Sequence, residues 1–275
     1  MTVRIPHNAR NTRRLGALFD GHRARAYALP ADLDAARRAV LRLGEEVQKI
    51  EHPNVGDAER RHIDGLVAAA AAGEELPDVA AVVAVDQAAA AAGRQVRLLG
   101  QAIEAADAHL GGVVEDLAEH ILTECLHPAA VDVMAQVSKA AKVLPDDPSP
   151  ETLLRASDAA RAAWFSLGDL GARYGLIRNA AGALHRANAS QSQHDTDGRY
   201  AEIRNYDEVT GGAPVMPGGE RPWPVDLAQR LLWFARHGAD VWVPTVAQRD
   251  ARFAEVHPDI VARKRSAWEQ LQHAA

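Results

Sequence analysis

At 275 residues, 47% hydrophobic and 25% charged, the chain has enough apolar content to bury one large core or two smaller ones, which excludes a disordered tail. Its formal net charge of −6 excludes a surface built throughout to neutralise nucleic acid or coat an anionic membrane, so any such contact is local. The single cysteine, Cys125, rules out an intramolecular disulfide and an all-cysteine zinc site, and a free thiol fits the reducing cytoplasm.

The longest charge-free apolar stretch, Val79 to Val85, falls far short of the roughly 20 residues that span a bilayer, so no membrane segment is expected. Only four of the 31 basic residues are lysines, Lys49, Lys139, Lys142 and Lys264. Together with the abundant alanine this points to a GC-rich bacterial or bacteriophage genome, and so to a cytoplasmic or virion location.

Residues 1–30 read as a basic arm, in which Pro6, Asn8, Asn11 and Gly16 discourage an early helix and Arg4, Arg10, Arg13 and Arg14 suit phosphate or an acidic protein surface. It is expected to order only against the body of its own domain. Nothing in these residues resembles the apolar core of a secretory signal, and they are taken as part of the mature chain. From Ala31 the spacing predicts a helix through Leu33, Ala36, Val40, Leu43, Val47 and Ile50, then a turn over residues 52–56 and a second helix from Asp57 to Ala72.

Residues 31–189 are expected to form a long-helix bundle or coiled coil. After a linker ending at Pro77, a long helix to Leu126 carries apolar residues three and four apart: Val82, Val85, Ala89, Ala92, Val96, Leu99, Ile103, Ala106, Leu110, Val113 and Leu117. A sustained 3.5-residue repeat on a helix of about 3.6 residues per turn implies a left-handed supercoil with a partner. Gly111 and Gly112 mark a bend or a close approach, at a cost of about 2 kcal/mol relative to alanines. Small residues flank this seam, Ala88, Gly93, Gly100 and Ala102, where charges would ordinarily set partner choice.

A helix from Pro128 to Val143 ends before Pro145, and Ser149–Pro150 opens a second long helix to about Ala189. Its seam runs Leu153, Ala156, Ala160, Ala163, Leu167, Leu170, Tyr174, Ile177, Ala181 and Leu184. Four glycines, Gly168, Gly171, Gly175 and Gly182, are expected to permit close backbone packing in preference to breaking the helix. Across the two seams, Val96, Leu99, Ile103, Leu110, Val113, Leu117, Leu167, Leu170, Tyr174, Ile177 and Leu184 are the expected helix-packing or oligomer interface.

Residues 190–222 read as an extended polar, Gly- and Pro-rich connector. Residues 223–275 read as a small helical module with Trp223, Trp233, Trp242 and Trp268: helices at Val225–His237, closed by Gly238; Val246–Glu255, opened by Thr245 and Gln248; and Pro258–His273. The tryptophans are either the module's core or partner anchors, with Trp223, Trp233 and Trp242 as candidate anchors.

No phosphate loop, dinucleotide fingerprint, nucleophile elbow or His-Glu-x-x-His motif is present. Asp116, His120 and Glu124 fall four apart within a run that also holds Glu115, Glu119, Cys125 and His127, a spacing compatible with a divalent metal. The solvated-face reading outweighs it, because a di-metal bundle needs Glu-x-x-His on two helices and only Glu59–His62 supplies one. His194, Asp195 and Asp197 before Gly198 resemble the start of a calcium loop, but Tyr206 stands where a bidentate glutamate is required; the His-Asp pair of helical phosphohydrolases lacks partner residues here.

These readings converge on an all-α chain, an elongated bundle or coiled coil with an aromatic-rich helical C-terminal module. The expected function is nonenzymatic: a structural or assembly protein that forms a homo-oligomer and meets other protein components, with a bacteriophage or prophage virion or morphogenesis component as a plausible setting. No cofactor is expected. The alternatives are a nucleic-acid-associated or regulatory protein acting through the arginine arm, and a metal-dependent helical enzyme.

Overall fold

The computed structural model describes residues 7–187, 192–213, 215, 221–264 and 266. In chain order the helices are α1 (Arg10–Arg14), α2 (Gly16–Arg23), α3 (Ala31–Gln48), α4 (Val55–Ala72), α5 (Ala80–His120), α6 (His127–Ala141), α7 (Pro150–Leu154), α8 (Asp158–Ala187), α9 (Tyr206–Thr210), α10 (Leu227–His237) and α11 (Val246–Val256). A π-helical turn, Ile121–Leu126, joins α5 to α6. Among the described residues the fold is all-helical, and the one isolated bridge pairs Ile203 with Val241. The chain divides into two compact units, Met1–Arg13 with Asp32–Val113 and Arg14–Ala31 with Val114–Ala275.

In the first unit the basic arm is not a bare extension. The Asp107 carboxylate accepts from the backbone N–H groups of Asn11 and Thr12, each at 2.8 Å, and from the Thr12 hydroxyl at 2.7 Å. It thus serves α1 as an N-cap borrowed from α5, which offsets the poor helix propensity that argued against an early helix. The Asn11 amide donates to the Asp107 carbonyl at 2.9 Å. A Cβ on Gly111 would sit 2.7 Å from that amide nitrogen, so of the two readings of this glycine, close approach is the one realised, and α5 runs through it unbroken. Ala9, Val40 and Ile103 form a small core with Leu43, Val47 and Ala106 against it.

The buried face of α5 drifts from the heptad. From Ile103 its deepest positions are Ile103, Asp107, Leu110, Val114, Ala118 and Ile121, spaced four, three, four, four and three. That averages to the period of a straight helix, about 3.6, so Val113 and Leu117 fall one residue off the line and are only half-buried.

In the second unit, α2, α6 and α10 pack on α8. Helix α8 passes through its glycines without a break, and two of them explain themselves: a Cβ on Gly171 would lie 3.1 Å from the backbone nitrogen of Ala228, and one on Gly175 would lie 2.9 Å from Leu227 Cδ1. The first turn of α10, itself capped by Asp226 on the Gln229 N–H, therefore lies against bare α8 backbone. Gly168 faces open space.

The single helix expected from Ser149 onward is two. Ser149 and Thr152 form a capping box for α7, and Ser157 Oγ accepts from the Ala160 N–H to start α8 afresh, so hydroxyls that compete for backbone groups interrupt the run. The π turn precedes Pro128, which has no N–H and whose ring would press on the carbonyl four residues earlier; a wider turn relieves that conflict. The stretch expected as an extended connector is folded where described: Asp195, Tyr200, Ile203 and Tyr206 are fully buried, and α9 lies within it. The caps expected at Gly238 and at Thr245 with Gln248 are present. The expected last helix is observed over residues 258–264, and the remainder of that range lies largely outside the described residues.

Two glycines give a paired test. Gly171→Val should destabilise by about 2–3 kcal/mol, because a branched side chain must displace the start of α10, whereas Gly168→Ala should stabilise by about 0.5–1 kcal/mol. Urea denaturation of the two variants measures both.

Candidate functional site

Helix α4 is locally well made and poorly covered. The Asn54 side chain accepts from the Asp57 N–H at 3.1 Å, Gly73 closes the helix in the left-handed conformation at φ 69°, and Pro77 packs beside Gly65. Of its side chains only Ala58 and Ala69 are buried. Ile63, Val67, Leu76, Val79 and Val83, on α4, the turn after it and the start of α5, are between 46% and 65% exposed. Aliphatic side chains left open four residues apart, Ile63 with Val67 and Val79 with Val83, are a candidate interaction surface. Only Asp86 is charged between Val79 and Gly93.

The expected interface residues divide by environment. Ile103 and Leu110 are buried, and Val96, Leu99, Val113 and Leu117 are half-buried. On α8, Leu167, Leu170, Tyr174, Ile177 and Leu184 are all buried, on a helix against which α2, α6 and α10 of the same chain pack. That seam is occupied within the chain.

Of the arm, Arg10, Arg13 and Arg14 are exposed, with Arg13 donating to the His7 carbonyl, and Arg4 lies outside the described residues. Among the candidate anchors, Trp223 and Trp242 are buried: Trp223 packs edge-on against Tyr206 and Phe234, and the Trp242 indole N–H donates to the Tyr200 carbonyl at 2.8 Å. Trp233 is half-buried and stacks on His237 with centroids 4.0 Å apart, where it lines a surface pocket of about 300 Å³ with Trp164 and Leu232. Trp268 lies outside the described residues.

The His194–Asp195 pair belongs to a structural knot that the sequence reading missed. Asp195, with no exposed surface, accepts from Arg249 Nε at 2.9 Å and from the Tyr200 N–H at 3.2 Å, and Arg249 also reaches the Asp195 carbonyl. Asp250 gathers the Ser192 hydroxyl and the N–H groups of Gln193 and His194. Asp197 accepts from the Arg199 N–H. Arginines, a hydroxyl and backbone donors hold these carboxylates, and the second oxygen of Asp195, Oδ1, is buried without a hydrogen-bond partner. Their signal in the sequence was the matching of a polar turn with Arg249 and Asp250 three helices later, in α11, a long-range match that spacing rules do not see.

Glu115, Asp116, Glu119, His120 and Glu124 are exposed, and the π turn between His120 and Glu124 rotates the latter off the face shared by Asp116 and His120. Among the described residues, no group of three or more His, Cys, Asp or Glu side chains is arranged to hold a metal ion, and no helix is long and apolar enough to cross a membrane. Burial, aided by Glu124, pushes the Cys125 thiol up, which leaves it mostly protonated at neutral pH. Comparison of the chain with known protein families, curated proteins and solved structures gives no match.

Two groups near Arg249 titrate in opposite senses. Burial raises the Asp195 carboxyl to about 6 against the pull of Arg249, and burial together with Arg249 and Arg178 lowers His185 to about 4. A raised carboxyl contributes stability that is present below its unfolded value and lost as pH rises through about 6; a lowered imidazole contributes stability that is present above 6.5 and lost as pH falls through about 4. Relative to the parent chain, Asp195→Asn should therefore lose urea resistance more steeply on acidification from about pH 6.5 to about pH 4, and His185→Gln less steeply.

Proposed function

We propose that the chain is a nonenzymatic structural or assembly protein that self-associates, using α4 and the first half of α5 as the contact surface. The observation that carries this is the uncovered aliphatic row of Ile63, Val67, Leu76, Val79 and Val83. An amphipathic helix draws most of its stability from packing, and α4 draws little from its own chain. A second copy is the occupant that fits best, because the stretch from Val79 to Gly93 carries one charge, Asp86, and so offers an apolar surface complementary to itself in a two-fold arrangement.

The magnitude sets the strength. Covering the exposed half of five aliphatic side chains on each of two copies recovers about 10 kcal/mol, against an association cost of about 4–15 kcal/mol. The outcome is weak, concentration-dependent association, suited to an assembly in which further contacts accumulate.

Light scattering coupled to gel filtration tests the reading. The parent chain should gain mass as its concentration rises about a hundredfold, and Val67→Asp with Val79→Asp should remain monomeric with unchanged helical circular dichroism. A parent chain that is monomeric throughout, or a variant that associates equally, overturns the proposal.

A further inference from the structure

A cleft of about 520 Å³ in the second unit, apart from the α4 strip, is lined by His22, Arg25, Tyr27, Glu124, Cys125 and Arg173. Its upper wall is the C-terminal end of α2. There the Ala26 N–H donates to the Gly21 carbonyl and the Arg25 N–H to the His22 carbonyl, both at 2.9 Å, the bonding that ends a helix through one left-handed residue. That residue is Arg25, at φ 59°, and among the described residues it is the sole non-glycine with positive φ. Glycine would take this conformation without strain, so the chain carries a guanidinium at a place where the backbone disfavours any side chain.

The guanidinium is not consumed by the fold. Among the described residues the Arg25 side chain has no hydrogen-bond or ion-pair partner, and it stands at the rim of the cleft. Arg173, by contrast, is held: its Nε donates to the Ala26 carbonyl at 3.2 Å and its Nη1 to Asp132 at 2.7 Å, which fixes a second guanidinium beside the first. The π turn adds Glu124 and the partly buried Cys125 to the lining, and α6 adds Ala129. The lining holds two guanidinium groups, one of them paired with Asp132, against the single carboxylate of Glu124, and with Ala26, Ala28 and Ala129 it suits a small anion that has an apolar body.

We propose that this cleft binds a small organic carboxylate, its carboxylate on Arg25 and Arg173 and its apolar body over Cys125 and Ala129. The strained Arg25 is the positioning feature, because the left-handed turn that ends α2 places this residue in the lining of the cleft.

The lone thiol in the chain reports occupancy of the cleft. Alkylation of Cys125 by neutral iodoacetamide is followed by mass spectrometry in benzoate, and in benzamide as the uncharged analogue of equal shape. Benzoate should slow the reaction at least tenfold, saturably, and raise the melting temperature, and benzamide should do neither. Arg25→Gly should melt a few degrees higher than the parent, having lost the strain, and should lose the benzoate effect. No benzoate effect on rate or melting, equal effects of benzamide, or full protection retained in Arg25→Gly would each overturn the proposal. A failure here leaves the α4 reading untouched, because the variant and its readouts lie within the second unit.

Discussion

The bare backbone face of α8 is the constraint on which the second unit is built. Gly171 and Gly175 let the first turn of α10 approach to van der Waals distance of the α8 main chain, and that approach sets where Leu231, Leu232 and Phe234 fall. Trp223 then packs on Phe234 and Tyr206, and Tyr206 on Tyr200, so the aromatic cluster is a continuation of helix packing begun at two glycines. The fully buried Tyr174 extends the same chain of contacts by donating to Glu202 at 3.0 Å, which also accepts from Arg230.

The two long seams, alike in sequence, meet different fates. On α8 the seam is buried by helices of the same chain, and the heptad positions from Ala160 to Leu184 are buried or nearly so. On α5 the cover is uneven. Ile103 and Leu110 lie deep, while Val82, Val85, Ala89 and Val96 are half-buried and Val79 and Val83 largely open. Hydrophobic burial in the first unit therefore stops short of what its aliphatic content permits, and the reading of the chain as an assembly component rests on that imbalance.

Much of the helical framework was legible because it depends on local chemistry. The capping pair at Thr245 and Gln248, the Gly238 stop and the Ser149–Pro150 start are encoded within four residues of where they act. Features that depend on distant partners were not legible. Asp107 carries no signal in the sequence, yet it is 4% exposed because Asn11 and Thr12 bring three donors to it. Arg25 lay in an arm in which no early helix was expected, and its left-handed backbone follows from how α2 ends. The polar stretch around Asp195 looked like a connector because its buried apolar members, Tyr200, Ile203 and Tyr206, are too few among polar, Gly and Pro residues to show a stripe.

The central claim is that α4 and the start of α5 find their missing cover in another copy of the chain. Amide hydrogen exchange at dilute and concentrated protein measures this segment by segment. If the claim holds, protection in residues 55–98 rises with concentration while that of α8 stays constant. Exchange in residues 55–98 that is independent of concentration would contradict it.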